Sequence, residues 1–144
     1  MKPLEENHGK DIVAWLHKAN EDMRVAEYLV GQEQGFYAAV GFHAQQAAEK
    51  YLKALPTFWE IDFPKTHVIA FLLDLVEFRD AKLAASLENA AALTPYAAAA
   101  RYPGDWPEAT PEDAREAVEL ARKVRQAVLP LLPTNTGEGS KIHD

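Results

Sequence analysis

The sequence predicts an all-α fold organised as a single domain. Apolar residues recur at three- and four-residue intervals in several long segments, which is the spacing of one face of an amphipathic helix. No alternating run rich in Val, Ile and Thr indicates a sheet. A chain of 144 residues with 48% hydrophobic residues can bury roughly two thirds of its unfolded surface in one core, without metal or disulfides.

The composition limits the classes of function. The chain has no cysteine, which removes disulfides and thiolate chemistry and fits a reducing compartment. The N-terminus lacks an apolar signal segment, and no segment approaches the ~20 apolar residues of a membrane span. We therefore expect a cytoplasmic protein without a membrane partner. The net charge of −7 argues against binding of bulk DNA or long RNA, because such binders present a basic face.

The first predicted helix runs from about Asp11 to Val30, after a flexible N-terminus of residues 1–10. Gly31 and the following polar residues end it. Its predicted buried face comprises Ile12, Trp15, Leu16, Ala19, Met23, Ala26 and Val30. Its polar residues, which face elsewhere, include Lys18, Glu21, Asp22 and Arg24.

The second predicted helix starts near Phe36 and carries a narrow polar stripe. At about 100° per residue, the stripe falls within an arc of roughly 80°. Pro56 should terminate or kink this helix. The stripe consists of His43, Gln46, Lys50 and Lys53, with Glu49 at its edge, while Ala44, Ala48, Leu52 and Leu55 form the other side.

Two further helices are predicted after an aromatic connector, residues 58–64, that we expect to pack on the bundle. Thr66 is a candidate N-cap for a third helix of about His67 to Arg79. This helix is apolar on more than one side, which is typical of a central helix or an oligomer interface. A fourth helix begins near Ala81, and Thr94 then caps either its kinked continuation or a separate short helix.

The last part of the chain contains the clearest helix start. Thr110 is the predicted N-cap, and Pro111 occupies the first helical position. Two acidic residues then lie in the first turn, where the helix dipole favours them, and the helix runs to about Val128. Before it, residues 101–107 contain turn formers and aromatics and are predicted to form an ordered loop. The predicted domain spans residues 11–132, followed by a disordered tail of residues 133–144.

Several of these segments, in this order, resemble the HEPN domain family (higher eukaryotes and prokaryotes nucleotide-binding). The resemblance rests on residues 45–54 (QQAAEKYLKA), on Thr66-His67, on the Arg101-Tyr102-Pro103 segment, and on residues 15–19 with Asp22 and Ala26 in the first helix. It spans roughly residues 11–128.

The resemblance implies an antiparallel up-and-down bundle of four long helices plus a short fifth helix, commonly dimeric. Family members act as accessory partners of a small nucleotidyltransferase, often in toxin-antitoxin-like pairs. Others are ribonucleases marked by an Arg followed after four to six residues by a His. Arg101 has no His in that window, so the resemblance favours a non-catalytic module.

The residue types suit a nucleotide or RNA phosphate. Arg101 provides a planar fork of donors, and Lys50 and Lys53 provide compact charges. Gln46 can donate to and accept from a base edge, and Tyr102 can stack on a base. The alternatives are structural: the two lysines can lie on a solvated helix face, Gln46 can be a satisfied core amide, and Arg101 can clamp helix-end carbonyls.

Two histidines are weaker catalytic candidates. His67 lies in the first turn of the predicted third helix, where the dipole favours the neutral imidazole. His43 lies on the polar stripe. Both positions are also compatible with structural hydrogen bonds. The scattered histidines contain no metal-binding pair and no Gly-rich phosphate loop is present, so we expect no metal and no cofactor.

Three functions remain open at this stage. The first is a non-catalytic homodimeric module that binds nucleotide or RNA and partners a nucleotidyltransferase. The second is a protein-interaction module whose stripe meets a protein. The third is a metal-independent ribonuclease in which Arg101 stabilises phosphate charge and His43 or His67 acts as general base.

Overall fold

A computed structural model describes residues 4–99 and 108–133 of the chain, with side chains from Asp11 onward. Within these ranges every regular element is a helix, which confirms the predicted all-α fold. The α-helices are α1 (Leu4–Val30), α2 (Tyr37–Phe58), α3 (Ile69–Arg79), α4 (Ala81–Ser86), α5 (Tyr96–Ala99) and α6 (Pro111–Val128). Short 3₁₀ helices cover Glu88–Leu93 and Leu129–Leu131. None of the helices in the described part of the chain has the length and apolar character needed to cross a membrane.

The centre of the bundle is the antiparallel pair of α1 and α2. Asp22 of α1 lies beside His43 and Lys50 of α2, whereas Trp15 lies beside Lys53, so the two helices run in opposite directions. Small residues of α2 allow close approach of its neighbours, and all four residues of its predicted apolar side are fully buried. The predicted face of α1 is also buried at Ile12, Leu16, Ala19, Met23 and Ala26.

Helix α6 packs on this pair and begins as predicted. The Thr110 hydroxyl accepts a hydrogen bond from the Asp113 N–H, and the Asp113 carboxylate accepts one from the Thr110 N–H, so a capping box satisfies two helix-end donors. All six apolar residues predicted for its inner face are buried: Ala114, Ala117, Val118, Ala121, Val124 and Val128.

Polar side-chain contacts connect α1 with α2 and α1 with α6. The Tyr51 hydroxyl of α2 donates to the Asn20 side chain of α1, and burial raises the pKa of Tyr51 to about 12 although Arg125 opposes this shift. Arg122 donates to the Glu27 carboxylate at 2.8 Å. The neutral phenol is therefore the form present at physiological pH, and it acts as a hydrogen-bond donor within the bundle.

Three helix boundaries differ from those predicted. Helix α1 already begins at Leu4, before the expected Asp11; the flexibility predicted for residues 1–10 stays a prediction. Helix α2 continues past Pro56 to Phe58. Helix α3 begins at Ile69 and not at His67, because the Thr66 hydroxyl accepts from the Val68 N–H only, while the Ile69 N–H donates to the Thr94 hydroxyl at 3.0 Å. The assignment of Thr66 as the N-cap was therefore wrong.

The region predicted as a fourth helix is divided into short pieces. Helix α4 ends at Ser86, a 3₁₀ helix follows, and α5 is a separate short helix that begins at Tyr96. The aromatic connector packs as expected, since Phe58, Trp59 and Phe63 lie against the core. The loop predicted at residues 101–107 and the tail predicted at residues 133–144 lie outside the described residues, except for Pro133.

Gly41 allows α5 to lie directly on α2. A Cβ atom at Gly41 would come within 2.3 Å of the Tyr96 ring, far inside van der Waals contact. Gly41 is fully within α2, where alanine would otherwise be the better helix former. The absence of a side chain therefore serves the close approach of the Tyr96 ring.

We expect Gly41→Ala to lower the free energy of unfolding by about 1–3 kcal/mol, because the Tyr96 ring must move out of its place. Urea unfolding followed by circular dichroism measures this change. Gly31→Ala is the matched control, since a Cβ there would meet only the Tyr28 carbonyl at 3.8 Å. Equal stability of the two variants would show that Tyr96 is not tightly packed on α2.

Candidate functional site

The polar stripe of α2 lies along the border of α2 with α1. On α1, Asp11, Trp15, Lys18 and Asp22 follow one another at intervals of four, three and four residues and so share one face. Contacts from Trp15 and Asp22 reach the stripe residues of α2. We call these two facing rows, Asp11, Trp15, Lys18 and Asp22 with His43, Gln46, Lys50 and Lys53, the α1–α2 seam.

Asp22 holds two stripe residues at one end of the seam. Its carboxylate oxygens lie 2.9 Å from His43 Nδ1 and 2.6 Å from Lys50 Nζ. The side chains of Lys50 and His43 are 17% and 30% exposed, so both groups remain within reach of a ligand from solvent. The sequence places Asp22 off the apolar face of α1 without indicating its partner, and the packing of α1 against α2 brings it to the stripe.

A buried polar cluster lies next to the other end of the seam. The Glu49 carboxylate accepts hydrogen bonds from Lys53 Nζ at 2.8 Å and from Gln45 Nε2 at 2.9 Å, and His67 Nδ1 lies 2.9 Å from it. The Glu49 and Lys53 side chains are only 3% and 7% exposed, whereas that of His67 is 57% exposed. The solvated-face alternative is therefore wrong for Lys53.

The donors around Glu49 keep it ionised. Burial by itself would raise the pKa of this carboxyl, but hydrogen bonds from Lys53, His67 and Gln45 together hold the pKa below its ordinary value of 4.5. A buried carboxylate with three donors is satisfied, and it neutralises a lysine that would otherwise be a costly buried charge.

The two glutamines of α2 extend the buried cluster toward the seam. Gln46 Nε2 donates to Gln45 Oε1 at 2.6 Å, and Gln45 Nε2 also approaches the His67 carbonyl at 3.3 Å. Gln46 is half-buried, so it has a structural partner and a partly accessible amide. Sequence reasoning missed Gln45, which lies four residues before Glu49 on the same face of α2 and is fully buried.

An open groove lies at the Lys53 end of the seam. Its volume is about 580 Å³, and the connector after α2 forms its far wall. Lys53 Nζ lies 5.3 Å from the centre of the Trp15 ring, within the range of a cation–π contact. We call this cavity the connector groove; it is lined by Asp11, Ala14, Trp15, Lys18, Lys53, Thr57, Ile61, Asp62, Phe63, Pro64 and Lys65.

The two histidine candidates lie with different carboxylates, His43 with Asp22 and His67 with Glu49. His67 precedes α3 instead of lying in its first turn, so the helix-dipole argument for a neutral ring does not apply to it. No group of three or more potential ligands in the described ranges, 4–99 and 108–133, has an arrangement that could hold a metal ion.

Arg101 and Tyr102 are predicted to bind the same ligand as Gln46, Lys50 and Lys53. Both lie outside the residues that the structure describes, so their place in the site stays a prediction. The element just before them, α5, packs through Tyr96 on Gly41. Lys50 lies about 180° around α2 from Gly41. Among the described residues, Lys50 contacts Asp22 of α1 and lies on the side of α2 opposite to α5. Lys53 instead belongs to the buried cluster around Glu49.

The HEPN domain family model matches residues 12–131. The chain belongs to the HEPN domain family. This confirms the family that the sequence motifs indicated, and the match includes every residue of the α1–α2 seam and of the connector groove except Asp11.

A solved structure of an archaeal HEPN homologue is similar to this chain. The two share 27% sequence identity with a TM-score of 0.62, over 91% of this chain and 98% of the other. The similarity supports the HEPN-like helical bundle along nearly the full length of both chains. No curated protein matches the sequence.

The Glu49 cluster of this HEPN domain can be tested by Glu49→Gln, which leaves Lys53 buried without its counter-ion. We expect the free energy of unfolding at pH 7 to fall by about 3–5 kcal/mol. The double variant Glu49→Gln/Lys53→Met should regain more than half of this loss, because it removes the unpaired charge. Urea unfolding of the three proteins measures both effects.

The difference in unfolding free energy between the wild type and Glu49→Gln should depend on pH. Because folding lowers the pKa of Glu49, its contribution is present above pH 4.5 and is lost as the pH falls through the lower folded value. The stability difference between the wild type and Glu49→Gln should therefore narrow below about pH 4.5. A difference that persists undiminished at pH 3 would argue against an ionised Glu49.

Proposed function

We propose that this protein is a non-catalytic HEPN module that binds a nucleotide or an RNA end and serves as the accessory partner of a small nucleotidyltransferase, in a toxin-antitoxin-like pair. The observation that supports ligand binding most directly is the α1–α2 seam, where His43 and Lys50 are held in place by Asp22 yet remain partly exposed. A positioned cation and a partly accessible amide, Gln46, are the groups that a phosphate and a base require.

The charge distribution favours a small ligand over a long polyanion. The chain as a whole carries 22 acidic and 15 basic residues. The seam, the groove beside it and the Glu49 cluster are together balanced instead, with Lys18, Lys50, Lys53 and Lys65 against Asp11, Asp22, Glu49 and Asp62. Because the surroundings repel extended phosphate chains, a few local lysines are better suited to a nucleotide or to the end of an RNA.

A homodimer is part of this proposal, and α3 supports it. Val68, Phe71, Leu75 and Phe78 follow one another at intervals of three, four and three residues, the spacing of a helix–helix contact row. Val68, Phe71 and Phe78 are 46%, 36% and 88% exposed. A second copy can cover this row with its own, and the remaining surface stays available for the nucleotidyltransferase. The role beside that enzyme rests on similarity to the family.

Ligand binding can be tested with a labelled short RNA and with ATP as probes. We expect Lys50→Ala and Arg101→Ala each to weaken binding about three- to tenfold, because each removes one charge-assisted contact. Lys123→Ala, an exposed lysine of α6, is the matched control and should bind like the wild type. Fluorescence anisotropy and equilibrium dialysis measure the affinities.

The accessory role predicts co-purification with a small nucleotidyltransferase encoded beside this protein. If the complex with the nucleotidyltransferase forms but no nucleotide or RNA binds at millimolar concentration, the protein-interaction alternative is favoured. Incubation with structured RNA in EDTA tests the ribonuclease alternative. RNA cleavage that disappears in Arg101→Ala would overturn the non-catalytic assignment.

The dimer interface can be tested by Phe78→Ser. Because this side chain is 88% exposed, the substitution should leave the fold intact and shift the protein from dimer to monomer in sedimentation velocity. Leu131→Ser, at a 41% exposed leucine outside α3, is the control and should remain dimeric. A dimer unchanged by Phe78→Ser would place the interface elsewhere.

A further inference from the structure

We infer that the connector groove is a binding site for a nucleoside phosphate. This inference rests on the proposed nucleotide binding and adds a second binding region, at the other end of the α1–α2 seam from Lys50. Lys53 lines the groove, although its side chain is only 7% exposed.

Lys53 has hydrogen-bonding capacity to spare. An ammonium group has three N–H donors, and the described residues provide one acceptor, the Glu49 carboxylate. The Trp15 ring beside it offers a cation–π contact but no hydrogen-bond acceptor. A buried ammonium with three N–H donors and one protein acceptor favours a ligand that brings further acceptor oxygens into the groove.

The groove walls supply the other contacts that a nucleoside phosphate needs. Trp15 of α1 and Phe63 of the connector are half-buried aromatic residues on its lining, and an aromatic face stacks on any nucleobase. Lys18 and Lys65 are exposed on the same lining and form no ion pair among the described residues, so both are available to a phosphate.

The two acids of the groove restrict the ligand further. Asp11 and Asp62 also line it and can accept from ribose hydroxyls or from an exocyclic amine. A volume of about 580 Å³ lies within the usual range of small-ligand sites. This combination fits one nucleotide unit better than a simple anion, which would not use the aromatic walls.

The connector that forms the far wall is held by the buried cluster. His67, just after it, contacts Glu49, which in turn holds Lys53. The position of Phe63 and Lys65 relative to Trp15 is therefore linked to the same carboxylate that orients the groove lysine. The groove is a preformed cleft between α1, α2 and the connector.

Trp15 provides a direct reporter for this inference. The chain has three tryptophans, so the variant Trp59→Phe/Trp106→Phe leaves Trp15 as the sole tryptophan, whose fluorescence can be excited selectively. We expect AMP to quench its fluorescence saturably, with adenosine binding more weakly and inorganic phosphate causing no comparable quench. In this background, Lys18→Ala/Lys65→Ala should weaken AMP binding at least about fivefold, and Phe63→Ala at least about fivefold.

Lys123→Ala in the same background is the control and should leave AMP affinity unchanged. Because Lys18 and Lys65 are exposed, the lysine double variant should fold normally, which circular dichroism checks. AMP binding detected by equilibrium dialysis, without a Trp15 response and without an effect of the groove variants, would overturn the groove assignment while leaving the proposed function intact. Absence of AMP binding at millimolar concentration would also overturn the assignment, and the RNA titration of Lys50→Ala would then decide the proposed function separately.

Discussion

The structure depends on one buried carboxylate. Glu49 lies in the middle of the central helix with 2% of its surface exposed, and an ionised group in that position requires donors from its surroundings. Those donors come from α2 itself and from His67, two residues before α3, so satisfying Glu49 also holds the connector against the bundle. The requirement of one charge thus positions both Lys53 and the wall of the groove.

Helix periodicity then distributes the polar groups along the outer side of the α1–α2 pair. The polar row of α1 and the stripe of α2 run antiparallel, and each uses three- and four-residue spacing. Asp22 can therefore meet His43 and Lys50 at one end while Trp15 meets Lys53 at the other. One packing arrangement creates two sites of different character, a partly exposed ion cluster and an aromatic groove.

The connector groove continues the α1–α2 seam at its Lys53 end and shares Asp11, Trp15, Lys18 and Lys53 with it, whereas the proposed dimer row belongs to α3. The helical bundle is shared with the HEPN family, whereas the proposed ligand binding rests on the side chains of the α1–α2 seam and the connector groove. Gly41 illustrates how closely the shared architecture is packed, since the Tyr96 ring lies where a methyl group would be.

The sequence alone determined the all-helical fold, the family, the buried faces of α2 and α6, and that of α1 except for the half-buried Trp15 and Val30. Helix periodicity and capping residues such as Thr110 act over a few neighbouring positions, so they can be read from the sequence. It could not reveal that Lys53 is buried, that Asp22 faces the stripe, or that the Thr94 hydroxyl caps Ile69. Each of these features joins groups that are distant along the chain or depends on how a second helix covers the first. Local spacing specifies which residues share a face of a helix, and only tertiary packing decides what that face meets.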